Sequence, residues 1–430
     1  MPRWVSLRSY PINLSQTFGR LALVFFLGAF ASSVPVSAQT ESTIFSFTLH
    51  ESFWPKGGLV EDAKGNLYGI TVGGGTYGVG TVYQLSPPAK GSTTWKKTVL
   101  WSFQPWGLTG YTPSSELAID SNGDLYGVTW SGGDGSCHCG VLYELIPPAT
   151  VGGPWTQLVL HAFTNTGNDG RLPNASVVLS SSTIYGVTQQ GGLYDSGMIY
   201  QFTPGTNGGY SVLYSFGANN DASTPNGPLL LDSAGSLYGV TSLGGAFNAG
   251  AVYKLSPPQN GGSWTESILF SFGGGSQSSG ITPVGNLLFD SSGNLYGVTE
   301  FGGASQLGVA YELSPASGSW TQNVLFNFSK TAGSSPLAGM TWNPTNGSLY
   351  GTTSAGGSHT HGTAFQLTPP ASGGLWTEKL LWQFTFANNG GLPSGRVLRD
   401  PTTGYLYGTT YNGGASGCDG DCGVDYQIIP

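Results

Sequence analysis

This sequence contains unusually few charged residues. Of its 430 residues, 14 are Lys or Arg and 22 are Asp or Glu, a charged share of 8%, where soluble domains usually have about 25%. The net charge of −8 disfavours nucleic acid as a partner, because phosphate backbones bind to basic surfaces. Disorder is disfavoured too, since aromatic residues reach 13%. With 70 glycines, this composition favours short β-strands joined by tight turns.

Long apolar runs are also scarce. The clearest one, residues 21–31, follows three arginines and precedes small residues at 36–38. This pattern predicts a signal peptide over residues 1–38, cleaved before Gln39, and therefore a secreted or periplasmic protein. A retained N-terminal anchor is the alternative, disfavoured because the run is shorter than the ~20 residues that span a bilayer. No later run approaches that length, so no membrane span is expected after cleavage.

Cysteine is the third scarcity, with four in the whole sequence. In the oxidising compartment that export implies, Cys418 and Cys422 are predicted to form a local disulfide. Cys137 and Cys139 are separated by one residue, and a disulfide, two free thiols or a metal site all stay open for them. Zinc is disfavoured there because ligand pairs usually have about two to four residues between them. We therefore predict no metal and no cofactor.

What the sequence has in abundance is a repeat. Its first copy is residues 65–71, Gly-Asn-Leu-Tyr-Gly-Ile-Thr, closed by Gly74 and Gly75. Every copy has Gly directly after its Tyr, Thr two residues after that Gly, and a Gly-Gly pair that begins six residues after the Tyr. The seven tyrosines are Tyr68, Tyr126, Tyr185, Tyr238, Tyr296, Tyr350 and Tyr407. A period of 53 to 59 residues indicates one array rather than separate domains.

Each copy predicts a sheet of four strands. In the second copy an apolar segment runs from Pro113 to a tight turn at Asp120, and a strand over residues 125–129 follows. A third strand covers residues 140–145, and a fourth begins at Trp155. The Tyr-Gly-x-Thr segment therefore belongs to the second strand, where we expect it to serve packing rather than chemistry.

The spacing inside the repeat is constant, with a proline seven residues before a polar turn residue in every copy. The turn residues are Asp62, Asp120, Ser180, Asp232, Asp290, Asn343 and Asp400. All are residue types that accept local backbone hydrogen bonds, which favours a structural role over metal binding. Seven such units predict an all-β fold, a seven-bladed β-propeller with four-stranded blades, as a single domain over residues 39–430.

The last copy ends one strand short, because Pro430 follows directly on its third strand. The pattern of a fourth strand occurs instead at residues 44–47, at the other end of the mature chain. We predict that this N-terminal strand pairs with the last repeat and closes the ring, which removes an open sheet edge. A monomer is expected.

The repeat resembles the kelch class of propeller repeats. More closely, Gly-x-Leu-Tyr-Gly-x-Thr-x-x-Gly-Gly, followed by Gly-Thr-Val-Tyr-x-Leu-Ser-Pro, looks like the tandem repeat of the bacterial "choice-of-anchor tandem repeat GloVer-containing" proteins. The resemblance covers about residues 55–430. It implies an exported propeller-like protein and supplies no catalytic residue. The sequence departs from the anchored members, because only four residues follow Tyr426 and no sorting segment is visible.

Two variable connections of each repeat are expected on the same face of the ring, since successive strands reverse direction. One follows the Gly-Gly pair, and the other leads to the next proline. Their aromatic and charged residues suit sugar stacking and hydroxyl recognition. The candidate ligand-binding residues are Trp54, Tyr77, Trp106, Asp134, Asp169, Arg171, Tyr194, Asp195 and Asp221.

The leading hypothesis is a binding or scaffold protein, not an enzyme, that recognises a glycan or an envelope protein through these loops. The alternative is a glycoside hydrolase or polysaccharide lyase, which would need two facing carboxylates, drawn first from Asp134, Asp169, Asp195 and Asp221. A purely structural envelope protein is the third hypothesis. No catalytic residue is predicted.

Overall fold

Each repeat folds, as its periodicity predicts, into a small antiparallel sheet. Seven such sheets in a ring form a seven-bladed β-propeller, which confirms the predicted fold. The computed structural model describes residues 39–430 except 50, 134–136, 151, 165, 206–208, 219–220, 260, 275–276, 372–374 and 415–420. The predicted signal peptide, residues 1–38, lies outside the described residues and stays a prediction.

The strands are short, as the many turns require. In chain order they are β1 Thr40–Ser46, β2 Ser52–Glu61, β3 Leu67–Gly74, β4 Thr81–Ser86, β5 Lys96–Ser102, β6 Tyr111–Pro113, β7 Ala118–Ile119, β8 Leu125–Ser131, β9 Val141–Ile146, β10 Thr156–Ala162, β11 Gly170–Arg171, β12 Val178–Ser180, β13 Thr183–Thr188, β14 Gln190–Gly191, β15 Met198–Thr203, β16 Gly209–Ser215, β17 Ala222–Pro225, β18 Leu230–Leu231, β19 Leu237–Gly244, β20 Ala251–Ser256, β21 Thr265–Ser271, β22 Ile281–Phe289, β23 Leu295–Phe301, β24 Val309–Ala316, β25 Ser319–Asn327, β26 Thr341–Trp342, β27 Leu349–Thr353, β28 Thr363–Thr368, β29 Thr377–Gln383, β30 Gly391–Pro393, β31 Leu398–Arg399, β32 Leu406–Asn412 and β33 Val424–Ile429.

The blades follow one another along the chain. Blades 1 to 6 contain β2–β5, β6–β10, β11–β16, β17–β21, β22–β25 and β26–β29, and blade 7 combines β30–β33 with β1. In each blade the strands are called inner, second, third and outer in the order in which the repeat supplies them. A single 3-10 turn, Gln277–Ser279, is the one helical element of the described residues. None of their helices is long and apolar enough to cross a membrane.

The inner strand is irregular, which the sequence did not indicate. The apolar segment predicted to continue from Pro113 to Asp120 is split into β6 and β7, because residues 114–117 belong to neither strand. In blade 1 the strand β2 is continuous, but its pairing with β3 shifts register between Lys56 and Val60. Such a bulge turns backbone and side chains out of the sheet. Here the displaced residues line the centre of the ring.

Adjacent blades are joined by aromatic pairs. A buried Phe follows each outer strand, and its ring packs against the buried ring of the next blade's third strand, with centroids 5.0 to 5.3 Å apart. The Tyr-Gly glycine makes room for that ring, because a Cβ on Gly69 would overlap the Tyr83 hydroxyl. The pairs are Phe47–Tyr83, Phe103–Tyr143, Phe163–Tyr200, Phe216–Tyr253, Phe272–Tyr311, Phe328–Phe365 and Phe384–Tyr426.

A second contact at every junction explains the repeated proline. The residue before each proline has a positive φ of 52° to 61°, and its N–H donates to a carbonyl next to the third strand of the preceding blade. The proline then packs on the glycine that opens that strand; a Cβ on Gly80 would lie 2.6 Å from Pro113 Cδ. The donors and acceptors are Trp54–Cys422, Thr112–Val79, Leu172–Cys139, Thr224–Ser196, Thr282–Ala249, Ser335–Leu307 and Leu392–His361.

The N-terminal strand closes the ring. Strand β1 pairs antiparallel with β33, from Thr40 opposite Ile429 to Ser46 opposite Val424, as predicted. The closing junction makes the same aromatic and proline contacts as the other six. Gln39–Pro430 form one compact unit.

One buried position distinguishes the closing junction. Asp425 in β33 stands where the other third strands carry an apolar residue: Val82, Leu142, Ile199, Val252, Ala310 and Ala364. It is fully buried, and the Tyr83 hydroxyl donates to its Oδ1 at 3.0 Å. Burial raises the pKa of Asp425 to about 8, although Tyr83 and Lys97 act in the opposite direction. This carboxyl is therefore held largely protonated at neutral pH.

Candidate functional site

The two faces of the ring differ in construction. The turn face carries the connections from inner to second strand and from third to outer strand. At its first turn, Asp62 Oδ1 accepts the N–H groups of Lys64 at 2.8 Å and Asn66 at 2.9 Å, and Tyr68 donates to Oδ2 at 3.1 Å. Burial alone would raise the pKa of Asp62, but these bonds lower it below its usual value.

The same capping recurs around the turn face. The turn residues that accept a local backbone N–H through the side chain are Asp62, Asp120, Asp232, Asp290, Asn343 and Asp400. Ser180 differs, because it pairs with Thr183 across a two-residue connection. These residues hold turns, which is the structural role predicted for them.

The loop face carries the other two sets of connections, from second to third strand and from outer strand to the next blade. Aromatic side chains project from several of these loops. Tyr77 and Tyr194 are each 49% exposed, and Phe247, at the equivalent position of blade 4, is 56% exposed. Trp106, between blades 1 and 2, is 75% exposed. The residues are far apart in sequence but belong to one face.

Arg171 and Asp195 are brought together as an ion pair, with Arg171 Nη2 at 2.9 Å from Asp195 Oδ2. Asp195 Oδ1 also accepts the N–H of Gly191 at 3.0 Å, which fastens its loop. The exposed Tyr194 is the neighbouring residue. Exposed pairs of this kind contribute about 0–1 kcal/mol, so the pair shapes the loop more than it stabilises the fold.

Asp169 stabilises the loop in which it lies. Its carboxylate accepts the Tyr210 hydroxyl at 2.7 Å and the Thr164 N–H at 2.9 Å, and lies 3.2 Å from His161 Nε2. Burial would raise the pKa of Asp169, but the bonds from His161 and Tyr210 lower it. Sequence reasoning missed His161 and Tyr210, because both lie on the outer strand, where aromatic side chains are ordinary packing residues.

The other candidates form separate contacts. Asp221 accepts the Tyr214 hydroxyl at 2.6 Å and the Gly217 N–H at 2.8 Å. Trp54 stacks on Tyr411 of blade 7, with centroids 5.8 Å apart. The candidates are thus distributed around the face rather than gathered at one point, and each of the three described aspartates serves its own loop. Asp134 lies outside the described residues.

The three described cysteines of the loop face are disulfide-bonded. Cys137 and Cys139 form a disulfide, which decides between the alternatives left open for them. Cys422 is also disulfide-bonded, but Cys418 lies outside the described residues, so their pairing stays a prediction. Within the described ranges, no group of three or more His, Cys, Asp or Glu side chains could hold a metal ion.

The structure adds a site that the sequence analysis did not find, a cavity of about 260 Å³ at the centre of the ring. All seven inner strands line it with residues of the triplet that follows the repeated proline, three from each of six blades and two, Gly285 and Asn286, from blade 5. The middle residue of each triplet is small: Gly57, Ser115, Ala175, Gly227, Gly285, Ala338 and Gly395. The flanking positions vary and include Lys56, Glu116 and Arg396. The sequence signal that could have indicated this cavity is a small residue two positions after each repeated proline.

Fold and site together define a seven-bladed β-propeller with a variable loop face and an axial cavity whose lining includes three charged residues. The family model of the Gloeobacter/Verrucomicrobia repeat matches residues 135–343, which confirms the resemblance to the GloVer-containing repeat proteins. No curated protein matches this sequence.

Solved structures share the fold. Two crystal structures of the extracellular domain of one B. thetaiotaomicron protein, assigned as a one-component and as a hybrid two-component system, are 12% and 13% identical, with TM-scores of 0.52 and 0.51. They match 91% and 89% of this chain, which spans only 42% and 43% of theirs. At this identity the similarity concerns the fold alone.

Proposed function

We propose that this chain is an exported binding protein that recognises a carbohydrate chain through its loop face. The observation that carries the proposal is the placement of exposed aromatic side chains. All five large aromatic side chains that are exposed among the described residues lie in or beside loop-face connections: Tyr77, Trp106, Tyr194, Phe247 and Phe301. Solvent-exposed aromatic rings on one face are typical of ligand-binding surfaces.

The chemistry of these loops favours a sugar ligand. A flat ring offers an apolar surface to the C–H groups of a sugar, and nearby polar groups can bind its hydroxyls. The Gln104 side-chain amide donates to the Tyr77 hydroxyl at 3.2 Å, so an amide group lies beside this aromatic ring. The low charged share of the chain suits a largely neutral partner. Export is supported by the predicted signal peptide and by the Cys137–Cys139 disulfide.

The test is a binding measurement on the exported protein, whose mature N-terminus is expected at Gln39 by mass spectrometry. The probes are cellulose, β-1,3-glucan, xylan, mannan, chitin and peptidoglycan fragments. We expect at least one to bind, and the double variant Trp106→Ala/Tyr77→Ala to weaken that binding at least tenfold, about 1.4 kcal/mol.

The matched control is Leu375→Ala, which removes an 85% exposed apolar side chain from the turn face and should leave affinity unchanged. The proposal is overturned if no polysaccharide binds, or if the control and the double variant behave alike. Capture of an envelope protein without any glycan binding would also overturn it, in favour of a protein partner.

A further inference from the structure

The axial cavity is chemically distinct from the loop face. Its volume of about 260 Å³ is slightly below the roughly 300–1,000 Å³ of drug-sized ligand sites, which suits a ligand of about one sugar ring. Residues that follow the repeated proline of each inner strand line the cavity, so every blade contributes to the wall. A ligand there would contact all seven repeats.

Two of the three charged side chains in the wall neutralise each other. Arg396 Nη2 donates to Glu116 Oε1 at 2.6 Å, across the position of Gly58 in the blade between them. Gly58 leaves space for the pair, because a Cβ there would overlap Glu116 Oε2. Attraction by Glu116 raises the pKa of Arg396, which keeps the guanidinium charged.

Lys56 is the unbalanced charge. No described carboxylate lies within ion-pairing distance of its ammonium group. Lys56 is half-buried, and this burial lowers its pKa. In a protein of net charge −8, the cavity therefore holds one net positive charge. A single negative charge would complement it.

Unsatisfied polar atoms lie in the same wall. Ser115 is 6% exposed, and its Oγ has no hydrogen-bond partner among the described residues. Asn174 Oδ1 and Ser394 Oγ are likewise buried without a partner. A buried polar atom left unpaired is destabilising, so a ligand that supplies hydroxyl groups would be favoured. Trp130 adds an aromatic surface to the lining.

We propose that the axial cavity binds a small hydroxylated monocarboxylate, of the class of the hexuronic and aldonic acids. Lys56 binds the carboxylate. Ser115, Asn174 and Ser394 bind hydroxyl groups, and Trp130 packs on the carbon skeleton. The site is separate from the loop face, so it does not depend on polysaccharide binding there.

Isothermal titration of the exported protein with D-glucuronate, D-gluconate and D-glucose tests the proposal. At least one acid is expected to bind with a millimolar or lower Kd, and neutral glucose at least tenfold more weakly. Lys56→Met is expected to lose at least tenfold in affinity, whereas Lys56→Arg keeps the charge and stays within tenfold of wild type. Lys64→Met, an exposed lysine at a turn, is the matched control and should bind normally.

The proposal is overturned if neither acid binds at 10 mM, if glucose binds as tightly as the acids, or if both Lys56 variants lose affinity equally. Since Lys56 has no acidic partner, Lys56→Met should not lower Tm. A wild-type crystal soaked with gluconate gives an independent readout. Its carboxylate is expected within hydrogen-bond distance of Lys56 Nζ, and a carboxylate bound elsewhere would contradict the assignment.

Discussion

The turn face and the loop face are built from the same seven repeats, but they differ in what varies between copies. On the turn face, Asp62 and its equivalents repeat one hydrogen-bonding pattern. On the loop face, equivalent positions hold Tyr77, Tyr194, Phe247, Ser305 and His359. Residues that recur in every copy therefore stabilise the ring, whereas loop-face positions that differ between copies are available for ligand recognition.

The largest expected effect concerns Asp425, a core residue that differs in type from its equivalents in the other repeats. Asp425 breaks the repeat but is fully buried, so we expect it to affect stability rather than binding. Its pKa of about 8 lies above the unfolded value of 3.8, so its contribution to stability is fully present below about pH 4 and lost as pH rises through about 8. At about 1.4 kcal/mol per pH unit, the free energy of unfolding should fall by a few kcal/mol between pH 5 and pH 8.5.

Asp425→Asn cannot ionise and keeps an acceptor for Tyr83, so urea unfolding should show a flatter profile and a variant more stable than wild type at pH 8.5. A weaker slope of the same sign is expected to persist, because burial raises the pKa of Glu266 and Glu378 to about 7. Lys97 acts oppositely, since burial lowers its pKa. Identical pH profiles for variant and wild type would contradict the assignment.

An intermediate effect is expected on the turn face. Asp290 accepts the N–H groups of Ser292 and Asn294 and the hydroxyl of Tyr296. Asp290→Ala should lower the free energy of unfolding by about 1–2 kcal/mol, because these donors lose their acceptor. Ligand affinity at the loop face should not change. Asp290→Asn retains one acceptor oxygen and should recover part of the loss; a binding defect without a stability defect would break the contrast between the faces.

The smallest effect on stability is expected on the loop face. Trp106→Ala removes a largely exposed ring and should change the free energy of unfolding by less than about 0.5 kcal/mol. Phe103, three residues earlier, is fully buried in the junction with blade 2, and Phe103→Ala should cost about 3–5 kcal/mol. Comparable losses in the two variants, measured by urea unfolding, would show that Trp106 is part of the core.

The sequence predicts the fold well because the ring is fixed by local features that recur. The proline spacing and the Tyr-Gly pair correspond to contacts at the blade junctions, and the strand predicted at residues 44–47 completes blade 7. The axial cavity could not be predicted in the same way. Lys56, Glu116 and Arg396 are distant in sequence and differ between copies, and they meet only because the ring closes.

Side-chain contacts within the loops could not be predicted from the sequence either. Asp169 is a predicted ligand-binding residue because it lies in a variable loop. Its partners, His161 and Tyr210, come from two different outer strands, and no spacing rule connects them. Asp195 and Arg171 are both predicted ligand-binding residues, but their ion pair depends on how two loop-face segments of blade 3 pack.

Hydrogen–deuterium exchange of the exported protein, with and without the polysaccharide that binds most tightly, tests the central claim most directly. Binding through the loop face predicts protection in peptides covering residues 74–80, 104–111, 192–197 and 245–250, with no change at the turns 62–66, 232–236 and 290–294. Protection confined to the turn peptides would contradict the assignment of recognition to the loop face.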